Sequence, residues 1–392
     1  MREVVVMSGV RTAIGDYGGA LKDFAPADLA AQVVTEAVKR AGVDPEEVGH
    51  GIFGNVIHSE ARDMYLTRVA CLNGGLLQHT AALTVNRICG SGLQAIISAG
   101  QTIMLNDTDA AVAGGVESMS RGGYLLPALR WGRRMHDASA VDMMVGALTD
   151  PFDQVHMGVT AENIAKKWQV GRETQDAYAI ESHRRAIHAI RQGYFKDQIL
   201  PLEIKSRTGV TIFDTDEHPR DALNLDSMAK LKPVFCKDGT VTAGNASGIN
   251  DSAAAVVLMD GKTAAKRNLK PMARLVSYGH AGVDPRYMGI GPVPAVQQAL
   301  KRARLKMNAI DVIESNEAFA VQACAVAKEL HFDPAKTNPN GGAVALGHPI
   351  GATGAILAIK AIYELHRTGN RYALVTLCIG GGQGIAAVFE RL

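Results

Sequence analysis

Three side chains in glycine-rich settings have the residue types that acyl or proton transfer needs. Cys89 sits in Val85-Asn-Arg-Ile-Cys-Gly-Ser-Gly-Leu-Gln-Ala95, between a strand-like and a helical run. A thiol at a helix start faces unsatisfied N–H groups and the positive end of the dipole, which favour the thiolate. The glycines after it let backbone approach a substrate closely. Taken alone, the same cysteine fits an inert thiol packed at a strand end. Gly90-Ser-Gly-Leu-Gln-Ala95 also fits the G-x-G-x-x-A dinucleotide fingerprint. The acid that should then hold a ribose is missing: the next strand ends in Ala113-Gly-Gly115, and Glu117 falls in a loop of small residues.

His348 lies in Asn340-Gly-Gly-Ala-Val-Ala-Leu-Gly-His-Pro-Ile-Gly-Ala-Thr-Gly354, held by tight backbone between Gly347 and Pro349. A lone histidine is more often structural, but glycines on both sides favour a site where substrate backbone comes close. Cys378 lies in Leu374-Val-Thr-Leu-Cys-Ile-Gly-Gly-Gly-Gln-Gly384, a strand running into glycines. The Lys and Ser/Thr of a P-loop are absent, so the better reading is a thiol above a bend whose N–H groups can bind an oxyanion. Asn316, in Ser315-Asn-Glu-Ala-Phe319, suits either a helix cap or an amide that holds a water or a carbonyl.

The elements around these residues alternate strand and helix. Strand-like runs are Val4–Met7, Leu83–Ile88, Ala110–Ala113, Ile310–Ile313 and Tyr372–Leu377. Helical spacing marks Ala27–Ala41 (with Gly42 as stop), Leu93–Leu105, Ala318–Leu330 and Ala355–Leu365. This alternation predicts an α/β fold with helices over a mostly buried sheet. Displacing the sequence by 262 positions lays Val34–Val43 on Val296–Leu305 without a gap, with Val34/Val296, Ala37/Ala299, Lys39/Lys301, Arg40/Arg302 and Ala41/Ala303 identical. Val48/Ile310 are apolar in both copies. Two similar halves follow, unless two amphipathic helices match by chance. Between them, Ser118 to about Asn250 holds the basic run Arg130-Trp-Gly-Arg-Arg134 and two helices near 160–192, an excursion long enough to act as a lid.

Composition narrows the function. The chain has 392 residues with 41 Lys+Arg against 39 Asp+Glu, so its net charge of +2 gives no reason to expect nucleic acid or an anionic membrane as partner. Hydrophobic residues at 47% can build large cores. The five cysteines, Cys71, Cys89, Cys236, Cys324 and Cys378, are scattered and odd in number, which argues against a disulfide framework. No CxxC or HExxH motif appears, so no metal is expected. No apolar run approaches the roughly 18 residues of a membrane span, and a reducing cytoplasm is the expected location.

Together, Cys-Gly-Ser-Gly at 89–92, Asn-Glu-Ala-Phe at 316–319, Gly-His-Pro-Ile-Gly-Ala-Thr-Gly at 347–354 and Cys-Ile-Gly-Gly-Gly-Gln-Gly at 378–384 resemble the thiolases over essentially the whole chain. Within that family the resemblance is nearest to the bacterial β-ketothiolases, or acetyl-CoA acetyltransferases; Ser315 and Pro339 replace the expected Ala and Val. It implies a duplicated five-layer α-β-α-β-α fold with an inserted loop domain. The bounds expected are 1–118 with 251–270 for the first half, 119–250 for the loop domain over coenzyme A, and 271–392 for the second half. It also implies reversible cleavage of 3-ketoacyl-CoA by coenzyme A, and Claisen condensation of acetyl-CoA in reverse, in a tetramer of tight dimers without a tightly bound cofactor.

By the same resemblance Cys89 is the nucleophile, His348 its base, and Cys378 the acid/base on the α-carbon. His348 and a water on Asn316 serve the enolate oxygen, and the N–H groups of Cys89 and Gly380 form the second oxyanion hole. Coenzyme A is assigned to Leu148, His156, Met157, Arg220, Ser227, Phe235, Ala243, Ser247, Gly248, Met288 and Phe319. The apolar members suit the pantetheine arm, and Arg220 and Ser227 the nucleotide end. A ketoacyl-synthase relative would replace the second cysteine, and a non-catalytic lipid binder would have lost Cys89 or His348; all three residues are present.

Overall fold

The computed structural model describes residues 2–206 and 209–392. The chain opens with β1 (Val4–Thr12), buried along its whole length. A continuous apolar run such as Val4-Val-Val-Met7 suits a strand covered on both faces. α1 (Pro26–Ala41) places its proline in the first turn, where a missing N–H costs nothing, and ends at Gly42 in the left-handed region (φ 63°). There follow β2 (Val48–Gly54), α2 (Leu66–Asn73), β3 (Ala81–Val85), α3 (Ser91–Met104) and β4 (Ala110–Ser118). The excursion contains a small ribbon, Tyr124–Leu125 with Val141–Asp142, and the long helices α4 (Met157–Trp168) and α5 (Arg172–Arg191). β5 (Asn250–Asp260) then returns to the first sheet.

The second half consists of β6 (Ala273–Gly282), α6 (Pro292–Ala303), β7 (Val312–Ser315), α7 (Ala320–Leu330), α8 (Ile350–Thr368), β8 (Tyr372–Ile379) and β9 (Gln383–Arg391). The strands lie in the order β7-β8-β9-β6-β1-β5-β4-β2-β3. Numbered within its own half, each sheet runs third, second, fourth, fifth, first. In the second half the third place is held by Thr337, bridged in parallel to Ile313. In both halves the fifth strand is antiparallel to its neighbours, β5 to β1 and β4, β9 to β6 and β8. The two sheets touch edge to edge at Val5–Arg274 and Val6–Ala273. The duplication read from the 262-residue displacement is thus a duplication of topology, and the helices matched there, α1 and α6, hold equivalent places.

α1 packs on the outer face of the first sheet and α6 on that of the second, while α3 and α8 pack against each other and against strands of both halves. This is the expected five-layer order. The α3–α8 contact is backbone-close: a methyl group on Gly354 would lie 2.3 Å from the Leu93 nitrogen, and one on Gly92 2.7 Å from the Ala355 nitrogen. The sequence reading assigns these glycines to substrate approach; the structure uses them to let two helices meet. Several element bounds also change: β1 runs on to Thr12, β3 ends at Val85 instead of Ile88, and β7 spans Val312–Ser315. β4 runs on to Ser118, so Glu117 is a strand residue and not a loop residue, and α8 begins at Ile350 instead of Ala355.

Candidate active site

Cys89 closes the connection from β3 to α3. The residue before it, Ile88, has φ +45°, a left-handed conformation that a β-branched side chain rarely adopts. Around Cys89 pack Ile57, Met119, Leu148 and Ile350. The backbone N–H groups of Gly380 and of Cys89 itself act on its sulfur in the direction that favours the thiolate. Burial nonetheless pushes the thiol up to about 11, and the two N–H groups offset this only in part. The expectation of a ready thiolate at a helix start is therefore corrected: desolvation outweighs the local dipoles.

Cys378 is the penultimate residue of β8, buried beside Met157, Met288 and Phe319. Burial pushes its thiol well above the ordinary range, and the charge of Cys89 adds to the shift. One thiol from each half thus lies within electrostatic reach of the other.

His348 precedes α8 by two residues and is buried. Its Nδ1 lies 2.7 Å from the Thr353 hydroxyl, whose single proton is donated to the Pro349 carbonyl at 2.9 Å. The hydroxyl can then only accept from the ring, which puts the imidazole proton on Nδ1 and leaves Nε2 with its lone pair. Burial lowers the ring's pKa to about 4, so the neutral base persists at neutral pH. The Asn316 amide donates to that Nε2 at 3.4 Å. Asn316 is not the helix cap: α7 starts at Ala320 with Phe319 at its cap and no side-chain cap bond. Asn316 Oδ1 is buried without a protein partner, the kind of group a bound water satisfies.

The residues assigned to coenzyme A divide in two. Met157, Met288 and Phe319 share an apolar cluster with Cys378, with Phe235 packed against it, while Leu148 and Cys89 pack on the separate cluster of Ile57, Met119 and Ile350. The His156 ring stacks on Phe235 with centroids 4.7 Å apart, and Phe235 meets Phe319 edge-on at 6.3 Å. His156 caps α4 by accepting from the Gly158 N–H, and Ser247 donates its N–H to the Ala318 carbonyl, tying this wall to the segment that carries Asn316. Gly248 lies next to His218 and Asn250. Arg220 and Ala243 are exposed and Ser227 half-buried, further out on the excursion, and the Ser227 hydroxyl donates within the cap of its own short helix to the Asn224 carbonyl.

Sequence reasoning missed Glu117 as a site neighbour. Its buried carboxylate accepts from the Asn55 amide and from the N–H groups of Val56, Ile57 and Gly351, joining the strand ends of the first half to the start of α8. Burial pushes it up to about 8, against those backbone donors, which favour the charged form. The chain offered no local signal for it, because its partners come from two distant segments, 55–57 and Gly351.

An apolar cavity of about 320 Å³ between α5 and α7, bounded by Tyr178, Cys324 and Phe332, lies apart from both catalytic-type thiols. Among the described residues, no group of three or more His, Cys, Asp or Glu could hold a metal ion, and no helix is long and apolar enough to cross a membrane.

Family models agree with this geometry. Residues 4–262 match the thiolase N-terminal domain and residues 269–391 the thiolase C-terminal domain. The chain belongs to the thiolase family. It is 66% identical over 392 residues to the beta-ketothiolase BktB of Cupriavidus necator, both chains being covered in full. It is 44% identical over 391 residues to the mitochondrial 3-ketoacyl-CoA thiolase of Bos taurus, covering 100% of this chain and 98% of that one. Among solved structures it matches human mitochondrial 3-ketoacyl-CoA thiolase in complex with CoA, with a TM-score of 0.97, 44% identity and coverage of 100% and 98%. This thiolase is an acyltransferase by family, and the sites above lie where its two halves meet.

Proposed function

We propose that the chain catalyses reversible cleavage of 3-ketoacyl-CoA by coenzyme A, and in reverse the condensation of acetyl-CoA with acetyl-CoA or a short acyl-CoA, through an acyl thioester on Cys89. The observation that carries this reading is that the turns bearing the two thiols meet from opposite halves: a Cβ on Gly90 would lie 2.6 Å from the Ile379 side chain, and one on Gly380 3.8 Å from that of Ile88. In the resting site both thiols are protonated and the imidazole is neutral, so proton transfer must accompany attack.

His348 Nε2 takes the Cys89 proton as the sulfur adds to the 3-keto carbon. The N–H groups of Cys89 and Gly380 hold the resulting oxyanion. Collapse breaks the C2–C3 bond and releases the enolate of acetyl-CoA, whose oxygen is served by protonated His348 and a water on Asn316. Cys378 gives its proton to the α-carbon. The Cys378 thiolate then takes the proton of incoming coenzyme A, whose sulfur displaces the acyl group, and His348 returns the first proton to Cys89.

In this reading the 119–250 segment covers coenzyme A: Leu148, His156, Met157, Phe235, Ser247, Gly248, Met288 and Phe319 line the pantetheine arm, and Arg220, Ser227 and Ala243 sit at the nucleotide end. The assembly is a homotetramer. The edge of β3 with exposed Leu83 suits a first contact, and the ribbon with Tyr124, Leu125, Leu129 and Trp131 (90% exposed) suits a second. Five free cysteines fit a cytoplasmic location.

The side chains of the cluster on which Cys89 packs, Ile57, Met119 and Ile350, are not aromatic, so 3-ketovaleryl-CoA should be cleaved as well as acetoacetyl-CoA. Thiolysis with coenzyme A, followed by identification of the acyl-CoA products, tests both points. No acetyl-CoA from either substrate would overturn the function, and cleavage of acetoacetyl-CoA alone would overturn the chain-length reading.

A further inference from the structure

His348 and Cys89 come from different halves, so something must hold the His348 backbone in register with the first sheet. The His348 N–H donates to Asn250 Oδ1 at 2.9 Å, and Asn250 is the first residue of β5, in the first half. The Asn250 amide is itself held: its Nδ2 donates to the Gly15 carbonyl at 3.1 Å and to Asp16 Oδ1 at 3.2 Å. That carboxylate oxygen also meets His218 Nδ1 at 2.5 Å, on the segment leading to Arg220. The fit is close. Gly347 has φ +103°, and a Cβ there would come 2.4 Å from the Asn250 side chain. All the atoms concerned on Asn250 and His348 are buried.

We infer that Asn250, oriented by Asp16, is a positioning residue for His348. It touches no reacting atom. By accepting the His348 N–H it fixes the backbone from which the imidazole reaches Cys89, while Thr353 fixes the ring's tautomer. Through His218, Asp16 links this alignment to the excursion. The inference rests on the proposal that His348 is the base.

The test is a cycle of variants in the full-length enzyme, read as the single-turnover rate of Cys89 acetylation by acetyl-CoA. Asn250→Ala should slow acetylation about 100-fold, the size expected from a misplacement near 1 Å. The KM for acetyl-CoA should move by less than about threefold. In a His348→Ala background the same change should cost almost nothing, because its effect passes through the imidazole. Asn250→Asp keeps an oxygen for the His348 N–H but sets it against the Asp16 carboxylate, and adding Asp16→Asn should recover about tenfold of the lost rate. A further 100-fold loss in the His348→Ala background, or no recovery in the Asp16→Asn/Asn250→Asp pair, would overturn the inference. A mild effect of His348→Ala itself would instead overturn the assignment of the base. If Asn250→Ala does not fold, the Asp pair decides the matter alone.

Discussion

The first and second halves place different chemistry on equivalent positions. In each, a central helix begins two residues after a key side chain, Ser91 after Cys89 and Ile350 after His348. In each, an asparagine follows the second strand, Asn55 after Gly54 and Asn316 after Ser315. In each, the fourth strand has a titratable penultimate residue, Glu117 in β4 and Cys378 in β8. The uses differ. Asn55 is committed within the first half, donating to Glu117 and to the Val116 carbonyl, whereas Asn316 donates to the His348 ring. Glu117 collects four donors and braces the start of α8, while Cys378 is buried in an apolar cluster with Met157, Met288 and Phe319. In the proposed mechanism the first set of strand ends carries the acyl group with its brace, and the second carries the protons.

Substitutions can break that comparison, and the largest effect belongs to the acyl carrier. Cys89→Ser should lower thiolysis on the order of 10⁴- to 10⁶-fold, as removal of a nucleophile does elsewhere. Steady-state assays with acetoacetyl-CoA and coenzyme A would show it, and a loss below tenfold would remove Cys89 from the centre of the reaction. The paired asparagines should then separate catalysis from stability. Asn316→Ala should slow condensation about 10²- to 10³-fold, the usual worth of one oxyanion donor, with the denaturation midpoint little moved. Asn55→Ala should instead cost about 1–3 kcal/mol of stability, since it leaves buried acceptors unpaired. Urea unfolding alongside condensation rates checks the pair, and the same profile for both would erase the distinction.

The two-half repeat was legible because amphipathic helices keep their apolar spacing. Val34–Ala41 and Val296–Ala303 could be laid on each other without structural knowledge, Cys89 and Cys378 were visible through their strand-then-glycine settings, and His348 through the glycines on both sides of it. What was not legible depends on distance in the chain. Asn250 meets Asp16 across 234 residues, and Glu117 meets Gly351 across the same span of 234 residues. Neither contact leaves a local pattern. Gly92 and Gly354 misled for a related reason: glycine density announces a close approach without saying what approaches. Cys89 shows the same limit in electrostatics, since sequence displays the helix start but not the apolar residues that pack against it.

Acidity gives a smaller but sharper contrast. An ordinary histidine titrates near 6.5, whereas burial lowers His348 to about 4, so its neutral, proton-accepting form is kept until the pH falls toward that value. Acetylation of Cys89 should therefore stay level as pH falls from about 7.5 to 5.5 and decline only below. Rapid-quench rates across that range test it, and an acid limb centred near 6.5 would contradict it. The smallest catalytic effect is expected outside both sets of strand ends. Trp131→Ala should shift sedimentation from tetramer toward dimer while thiolysis changes less than about twofold, as for surface positions away from the site. An unchanged sedimentation profile would remove the ribbon from the assembly.

The division of labour between the halves is tested most directly by Cys378→Ser. Acetylation of Cys89 requires no proton from carbon, whereas exchange of the acetyl-CoA α-protons with heavy water does. A serine hydroxyl is several pKa units less acidic than a thiol, and each unit removes about 1.4 kcal/mol of driving force for taking that proton. The variant should still place radiolabelled acetyl on the peptide containing Cys89 within a few-fold of the wild-type rate, while α-proton exchange falls by at least about 10²-fold. Equal loss of labelling and exchange would contradict the account, because it would make Cys378 part of the acyl-carrying machinery of the first half.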